Sequence, residues 1–167
     1  MLEDLYNERI LAHAANIPRT ERLIRPQATA RKESRLCGSR VIVDLRLQDG
    51  AVSDYGQEVK ACVLGQCSAS LMGQTVIGQT PDQLRRVRDE IRAMLKDEGP
   101  APQGDWSELE ILRPAIAYRS RHASILLPFD AVVAALDEIE AAMAEDTAEN
   151  PANRRRQPSP SGQESAL

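Results

Sequence analysis

Arg40-Val41-Ile42-Val43-Asp44-Leu45-Arg46-Leu47-Gln48-Asp49-Gly50 is the stretch on which the fold turns. Val41, Val43, Leu45 and Leu47 alternate with Ile42, Asp44, Arg46 and Gln48, the period of two that sends successive side chains to opposite faces of a strand. Asp49-Gly50 suits a tight hairpin turn, because glycine takes a positive φ without a steric penalty. Residues 52–60 then read as a weaker return strand carrying Val52, Tyr55 and Val59. Upstream, residues 18–36 are polar and hold Pro18 and Pro26, which suggests a loop with room for one short edge strand.

Helical periodicity surrounds this hairpin. Leu2, Tyr6, Ile10 and His13 predict an amphipathic helix over 2–15, ended by Pro18. From Cys62 onward Leu64, Cys67 and Leu71 share one helical face, and Gly73 and Gly78 close that helix. Thr80-Pro81-Asp82-Gln83 is a helix start in which Thr80 caps, Pro81 takes the first position and Gln83 completes a capping box. Leu84, Val87, Ile91 and Met94 form the stripe of that helix, and Gly99-Pro100 stops it. A connection through Trp106, itself a core or interface anchor, leads past Leu109, Ile111 and Pro114 to a final helix with Val132, Leu136, Ile139 and Met143. The order of helix, hairpin and helices argues for an α+β fold, a small antiparallel sheet packed against helices. One domain over 1–146 is expected, followed by an unstructured tail over 147–167 with almost no apolar residue to offset chain entropy.

Composition narrows the function. The 167 residues are 42% hydrophobic and 28% charged, as in globular proteins. Only 3% are aromatic and the net charge is −4, which disfavours base stacking and nucleic acid as a partner. No apolar run approaches a membrane span, and Glu3, Asp4 and Glu8 do not suit a signal segment, so a cytoplasmic location is expected. Three cysteines, Cys37, Cys62 and Cys67, are an odd number and too few for a disulfide framework, so reduced thiols are the simpler expectation.

Cys37 lies just before the first clear strand and Cys62 just after its return strand. A hairpin brings its outer ends together, so the two thiols should be neighbours. Cys62 also precedes a helix, whose unpaired N–H groups favour the thiolate form that soft metals and sulfur transfer both require. His122, at the approach to the last helix, would supply an imidazole as third ligand. Cys67 shares a face with Leu64 and Leu71, which places it in the core.

Four segments in order resemble one known family. Leu5-Tyr6 with Ile10, His13 and Asn16-Ile17-Pro18-Arg19, then Leu36-Cys37-Gly38 with Arg40-Val41-Ile42, then Cys62-Val63-Leu64-Gly65-Gln66-Cys67-Ser68-Ala69-Ser70-Leu71-Met72, then His122-Ala123-Ser124-Ile125-Leu126 are similar to the U-type (IscU, SufU and NifU-like) iron–sulfur cluster assembly scaffolds over roughly residues 1–140. The resemblance implies a scaffold or carrier rather than an enzyme. Its cargo would be an iron–sulfur cluster, [2Fe–2S] and labile, or iron, with zinc as the alternative. The cargo would be held by Cys37, Cys62 and His122. A cysteine desulfurase and iron–sulfur acceptor proteins are the implied partners. Two rivals share the resemblance: a zinc-dependent sulfur acceptor, and a degenerate relative acting only by protein–protein contact. The chain departs from the family pattern twice. Ser39 stands where the family has aspartate, and Ala123 stands at the third cysteine, unless the alignment slides by one and His122 replaces that cysteine itself.

Overall fold

A computed structural model describes residues 5–149. The start of the expected first helix, over 2–4, and nearly all of the expected tail over 147–167 lie outside these residues. Helix α1 spans Glu8–Ala15, because the Asn7 side chain caps it by accepting from the Ile10 N–H at 3.0 Å. Strands β1 (Ala28–Glu33), β2 (Arg40–Gln48) and β3 (Ala51–Lys60) form one antiparallel sheet in the order β1-β2-β3. Helices α2 (Val63–Thr75) and α3 (Pro81–Asp97) follow. A run of 3-10 turns over Gly104–Ala117 and a short one over Arg119–Arg121 then lead into α4 (His122–Glu149).

The hairpin forms as the alternation requires. Gln48 pairs with Ala51, while Asp49 and Gly50 both take positive φ, 54° and 80°. Val41, Val43 and Leu45 have no exposed surface and face α4, which packs across β1 and β2. A bulge between Arg46 and Leu47 of β2 leaves Ser53 as an extra residue on β3. That extra residue shifts the phase of the return strand, so Val52 and Tyr55 are both buried although they stand three apart. Helix α3 keeps its capping box and buries Leu84, Val87, Ile91 and Met94 against α4. Met143, expected in the stripe of the last helix, is half-exposed, and its neighbours over residues 141–146 are exposed too. The connection through Trp106 is 3-10 rather than extended, with Trp106, Leu109 and Leu112 turned inward and Trp106 tilted against Phe129 at 5.9 Å.

The second face of the sheet is covered by chain rather than by a helix. Residues 16–27 cross β3 and β2 as a strap, and polar groups hold them at each step. The Gln57 amide, fully buried, donates to the carbonyls of Pro18 (3.0 Å) and Ala69 (3.1 Å), while its backbone N–H donates to Arg19 at 2.9 Å. Gly56 lies directly beneath the Glu21 carbonyl, where a side chain would collide with backbone. Asp44 is the anchor. Its carboxylate accepts from the Arg22 guanidinium at 2.6 and 3.1 Å, from the Leu23 N–H at 3.0 Å and from Thr29 Oγ1 at 2.6 Å. Burial alone would raise the Asp44 pKa, yet these donors hold it below the usual carboxylate range.

Asp44→Asn should therefore cost about 2 kcal/mol of unfolding free energy, in the range for hydrogen bonds to a charged group, read from the urea midpoint. The sign follows from the depressed pKa. The Asp44 contribution is whole above the unfolded value of about 4 and is lost as pH falls through the folded value. The variant should thus lose stability near neutrality and show a flatter acid limb than the parent chain.

Candidate functional site

Cys37 and Cys62 sit at the end of the sheet where β2 begins and β3 ends, a position fixed by the pairing of Arg40 with Lys60. Cys37 is exposed, in a tight turn closed by Gly38 N–H to Ser34 O (2.9 Å) and Ser34 N–H to Ser39 O (2.9 Å), with Gly38 at φ 72°. Cys62 is the N-cap of α2 but makes no capping hydrogen bond with its side chain, which leaves the sulfur free to face the site.

Two serine hydroxyls join the thiols. Cys62 Sγ lies 3.3 Å from Ser124 Oγ, Ser124 Oγ donates to Ser39 Oγ at 3.3 Å, and Ser39 Oγ lies 3.0 Å from Cys37 Sγ. Each hydroxyl has one proton to give. With the Ser124 proton on Ser39, the Cys62 thiol donates to Ser124 and the Ser39 hydroxyl is left to donate to Cys37. The chain of hydrogen bonds thus runs from Cys62 as donor to Cys37 as final acceptor. Ser34 Oγ is buried with no partner within hydrogen-bond distance, so its proton is free to turn toward the Cys37 thiolate. Partial burial pushes the Cys37 thiol up. Donation from Ser34 and from the Ser39 hydroxyl and N–H outweighs it, and the pKa falls to about 7.

Room for Ser124 comes from Gly65. A Cβ added there would stand 2.5 Å from Ser124 Oγ and 2.8 Å from the Ala61 Cβ. The approach of α2 to the first turn of α4 is held as well by Ser68 Oγ donating to the Ile125 carbonyl at 2.6 Å.

The other candidates lie elsewhere. His122 is 3% exposed, and its Nε2 donates to the Ala115 carbonyl at 2.8 Å. The ring lines a hollow with Leu95, Lys96, Glu98, Ile116 and Arg119, away from the thiols. The reason is helical geometry: two residues along an α-helix are about 200° apart around the axis, so a turn that aims Ser124 at the thiols turns His122 away. The expected trio of Cys37, Cys62 and His122 is therefore not gathered here. Among the described residues, no group of three or more His, Cys, Asp or Glu side chains comes together as a metal site. Cys67 is wholly buried, and burial, followed by the charge of Glu108, pushes its thiol up to about 12. Ser34, Ser124 and Gly65 are the site residues that the sequence did not single out. Their one sequence signal is the small-residue run of α2 facing the segment that begins at His122.

A three-stranded antiparallel sheet with helices on one face, a strap on the other and a thiol pair at the sheet end defines a U-type scaffold fold. The crystal structure of a nitrogen-fixing NifU-like protein (N-terminal) from Brucella abortus is 48% identical, with a TM-score of 0.83 over 84% of this chain and 97% of that one. The chain belongs to this NifU-like, U-type scaffold family. It is also 27% identical over 137 residues, 81% of its length and 94% of the other's, to the iron–sulfur cluster assembly scaffold protein IscU of Thermotoga maritima. A putative SUF-system scaffold protein from Fervidobacterium islandicum AW-1 shares the fold at 17% identity, with a TM-score of 0.74 over 80% of this chain and 98% of that one. No family model matches the sequence. Among the described residues, no helix is long and apolar enough to cross a membrane.

Reactivity should follow this geometry. Brief alkylation of the native chain with iodoacetamide, mapped by mass spectrometry, should label Cys37 with a rate that is half-maximal near pH 7 and leave Cys67 untouched. Ser34→Ala and Ser39→Ala remove donors to the thiolate, so each should move that midpoint upward.

Proposed function

We propose that the chain is a scaffold or carrier in iron–sulfur cluster assembly and that Cys37 and Cys62 are the residues that take its cargo. The observation that carries this reading is the pair of thiols joined through Ser39 and Ser124 at the end of the sheet, in a chain of the NifU-like family. Thiolates suit an iron–sulfur cluster, [2Fe–2S] above all, and also iron or zinc. Two thiolates and two neutral hydroxyls give a weaker hold than three thiolates and a carboxylate would. Weak retention is what a carrier that must release its cargo needs. A cysteine desulfurase as sulfur source and iron–sulfur proteins as acceptors complete this proposal. His122 is outside the assigned set, because its ring is held by the Ala115 carbonyl.

One observation favours the sulfur-acceptor reading as a companion activity. Cys37 is exposed, and with its pKa at about 7 a large share of it, about half, is thiolate near neutrality. Attack by that thiolate on the outer sulfur of a donor persulfide forms a new S–S bond at Cys37 and breaks the donor's. The donor thiolate leaves, and no external oxidant is consumed.

The test is metal and sulfide per chain after anaerobic loading. Cys37→Ser and Cys62→Ser should each lose most retained iron, sulfide or zinc with nearly unchanged helical content, since Cys37 is exposed and Cys62 packs only at the edge of the core, where serine keeps its size. His122→Ala should retain as much as the parent chain while losing about 1 kcal/mol of stability with the buried hydrogen bond. Ala123→Cys, which adds a thiol beside Ser124, should raise retention. Full loading of the Cys37→Ser, Cys62→Ser double variant would overturn the assignment.

A further inference from the structure

A hollow of about 690 Å³ lies between the strap and the hairpin, bordered by residues 19–25 and by Arg46, Asp54 and Tyr55. Arg46 pairs with Asp54, six residues along β2 from the pairing of Arg40 with Lys60 that marks the thiol end. At the spacing of a strand, that separation is about 20 Å. Taking cargo at Cys37 and Cys62 makes no use of this hollow.

Its charge runs against that of the chain. The net charge is −4, yet four arginines border the hollow, Arg19, Arg22, Arg25 and Arg46, against two carboxylates, Glu21 and Asp54. Arg22 is committed to Asp44 by two hydrogen bonds. Arg46 donates from Nη1 to the Arg25 carbonyl and stands 3.9 Å from Asp54. Arg19 engages only its Nε, on the Gly73 carbonyl, which leaves both terminal nitrogens open. The Arg25 guanidinium has no partner among the described residues. Ile24, next to it, is 95% exposed, more than any other large apolar side chain among the described residues. A single exposed aliphatic residue is ordinary. Beside an unpaired guanidinium at the rim of a hollow, it is half of an apolar contact.

These features select the occupant. A guanidinium fork matches a carboxylate with two parallel hydrogen bonds. The hollow is more open than enclosed, so a small molecule would keep much of its surface wet, whereas a length of chain can lie across it. A nucleic-acid backbone, charged at every step, would meet Glu21 and Asp54 as well as the arginines. A protein segment can place its carboxylates only where the open guanidiniums are.

We propose that this hollow docks an acidic segment of a partner protein, with carboxylates on Arg19 and Arg25 and one aliphatic side chain laid against Ile24. The site is separate from the thiols, so a partner held here leaves the other end of the sheet open for loading and release.

The full chain is titrated into a fluorescein-labelled peptide, rich in glutamate with one central leucine, and binding is followed by anisotropy at low and physiological salt. Saturable binding that weakens with salt is expected. Arg25→Glu should weaken it about tenfold. Ile24→Ser should weaken it severalfold and erase the preference for leucine over serine at the centre of the peptide. Both side chains are exposed, so neither change disturbs the core. The Cys37→Ser, Cys62→Ser double variant should bind as the parent chain does, and loss of binding there would overturn the separateness of the site. No binding, equal binding by Arg25→Glu, or equal binding of a peptide with lysine in place of glutamate would each sink the proposal. Full displacement by citrate, or by a single-stranded oligonucleotide at matched charge, would replace the protein segment with a small anion or a nucleic acid. A doubling of mass in light scattering that Ile24→Ser abolishes would replace it with a second copy of this chain. None of these outcomes bears on metal retention at Cys37 and Cys62, which is assayed separately.

Discussion

Helix α2 meets the first turn of α4 at Gly65, and the absence of a side chain there controls what the site contains. Ser124 Oγ occupies the space that a Cβ would fill, with Ser68 holding the Ile125 carbonyl one residue further on. Because Ser124 is pinned in this gap, the phase of α4 is set relative to the thiols. That phase sends His122 to the far side and brings a hydroxyl, not an imidazole, between Cys37 and Cys62. The chemistry of the site thus follows from a packing constraint on two helices. The thiols only have to be delivered to it, which the pairing of β2 with β3 does.

The sheet that delivers them is itself held from the side away from the helices. Asp44 would be a costly residue on a buried strand if its oxygens were unpaired. Three donors from the strap and from β1 satisfy it, and in doing so fix where the strap lies. Gln57 repeats the arrangement one strand over, tying β3 at once to Pro18 and to Ala69 of α2. The two polar residues link layers that apolar contact alone would let slide. A core this poor in aromatic rings has fewer large, shape-specific contacts to set its register, so buried polar anchors carry more of that task.

The hairpin, the capping box at Thr80 and the meeting of the two thiols were legible because each depends on residues near in sequence or on simple antiparallel closure. β1 was legible only as a possibility: Ala28 and Ala30, its buried residues, are too small to give an apolar alternation. The 3-10 run through Trp106 has no periodic signal, since its inward residues follow the shape of the cleft between α1, α2 and α3. Asp44 read as the polar face of a half-buried strand, because nothing local announces that residues 16–27 will return to cover it. The orientation of His122 was beyond reach for a similar reason. It depends on the helical phase set by Gly65 and Ser124, two residues whose importance is visible only once α2 and α4 are in contact.

The strap has one more consequence, for how the sheet meets other molecules in a crowded solution. A three-stranded sheet has two open borders, and unpaired backbone along a border is a template on which further strands can grow. On β3 that template is partly taken. The Gln57 N–H is engaged by the Arg19 carbonyl, and the Val52 N–H and carbonyl by Gln79 and Gly78. On β1 the border carries Arg31, Lys32 and Glu33, exposed charges that repel an incoming strand or require it to match them. Strand addition is thereby disfavoured at both borders, and self-association is steered away from the fibrillar route that small β-sheets otherwise risk.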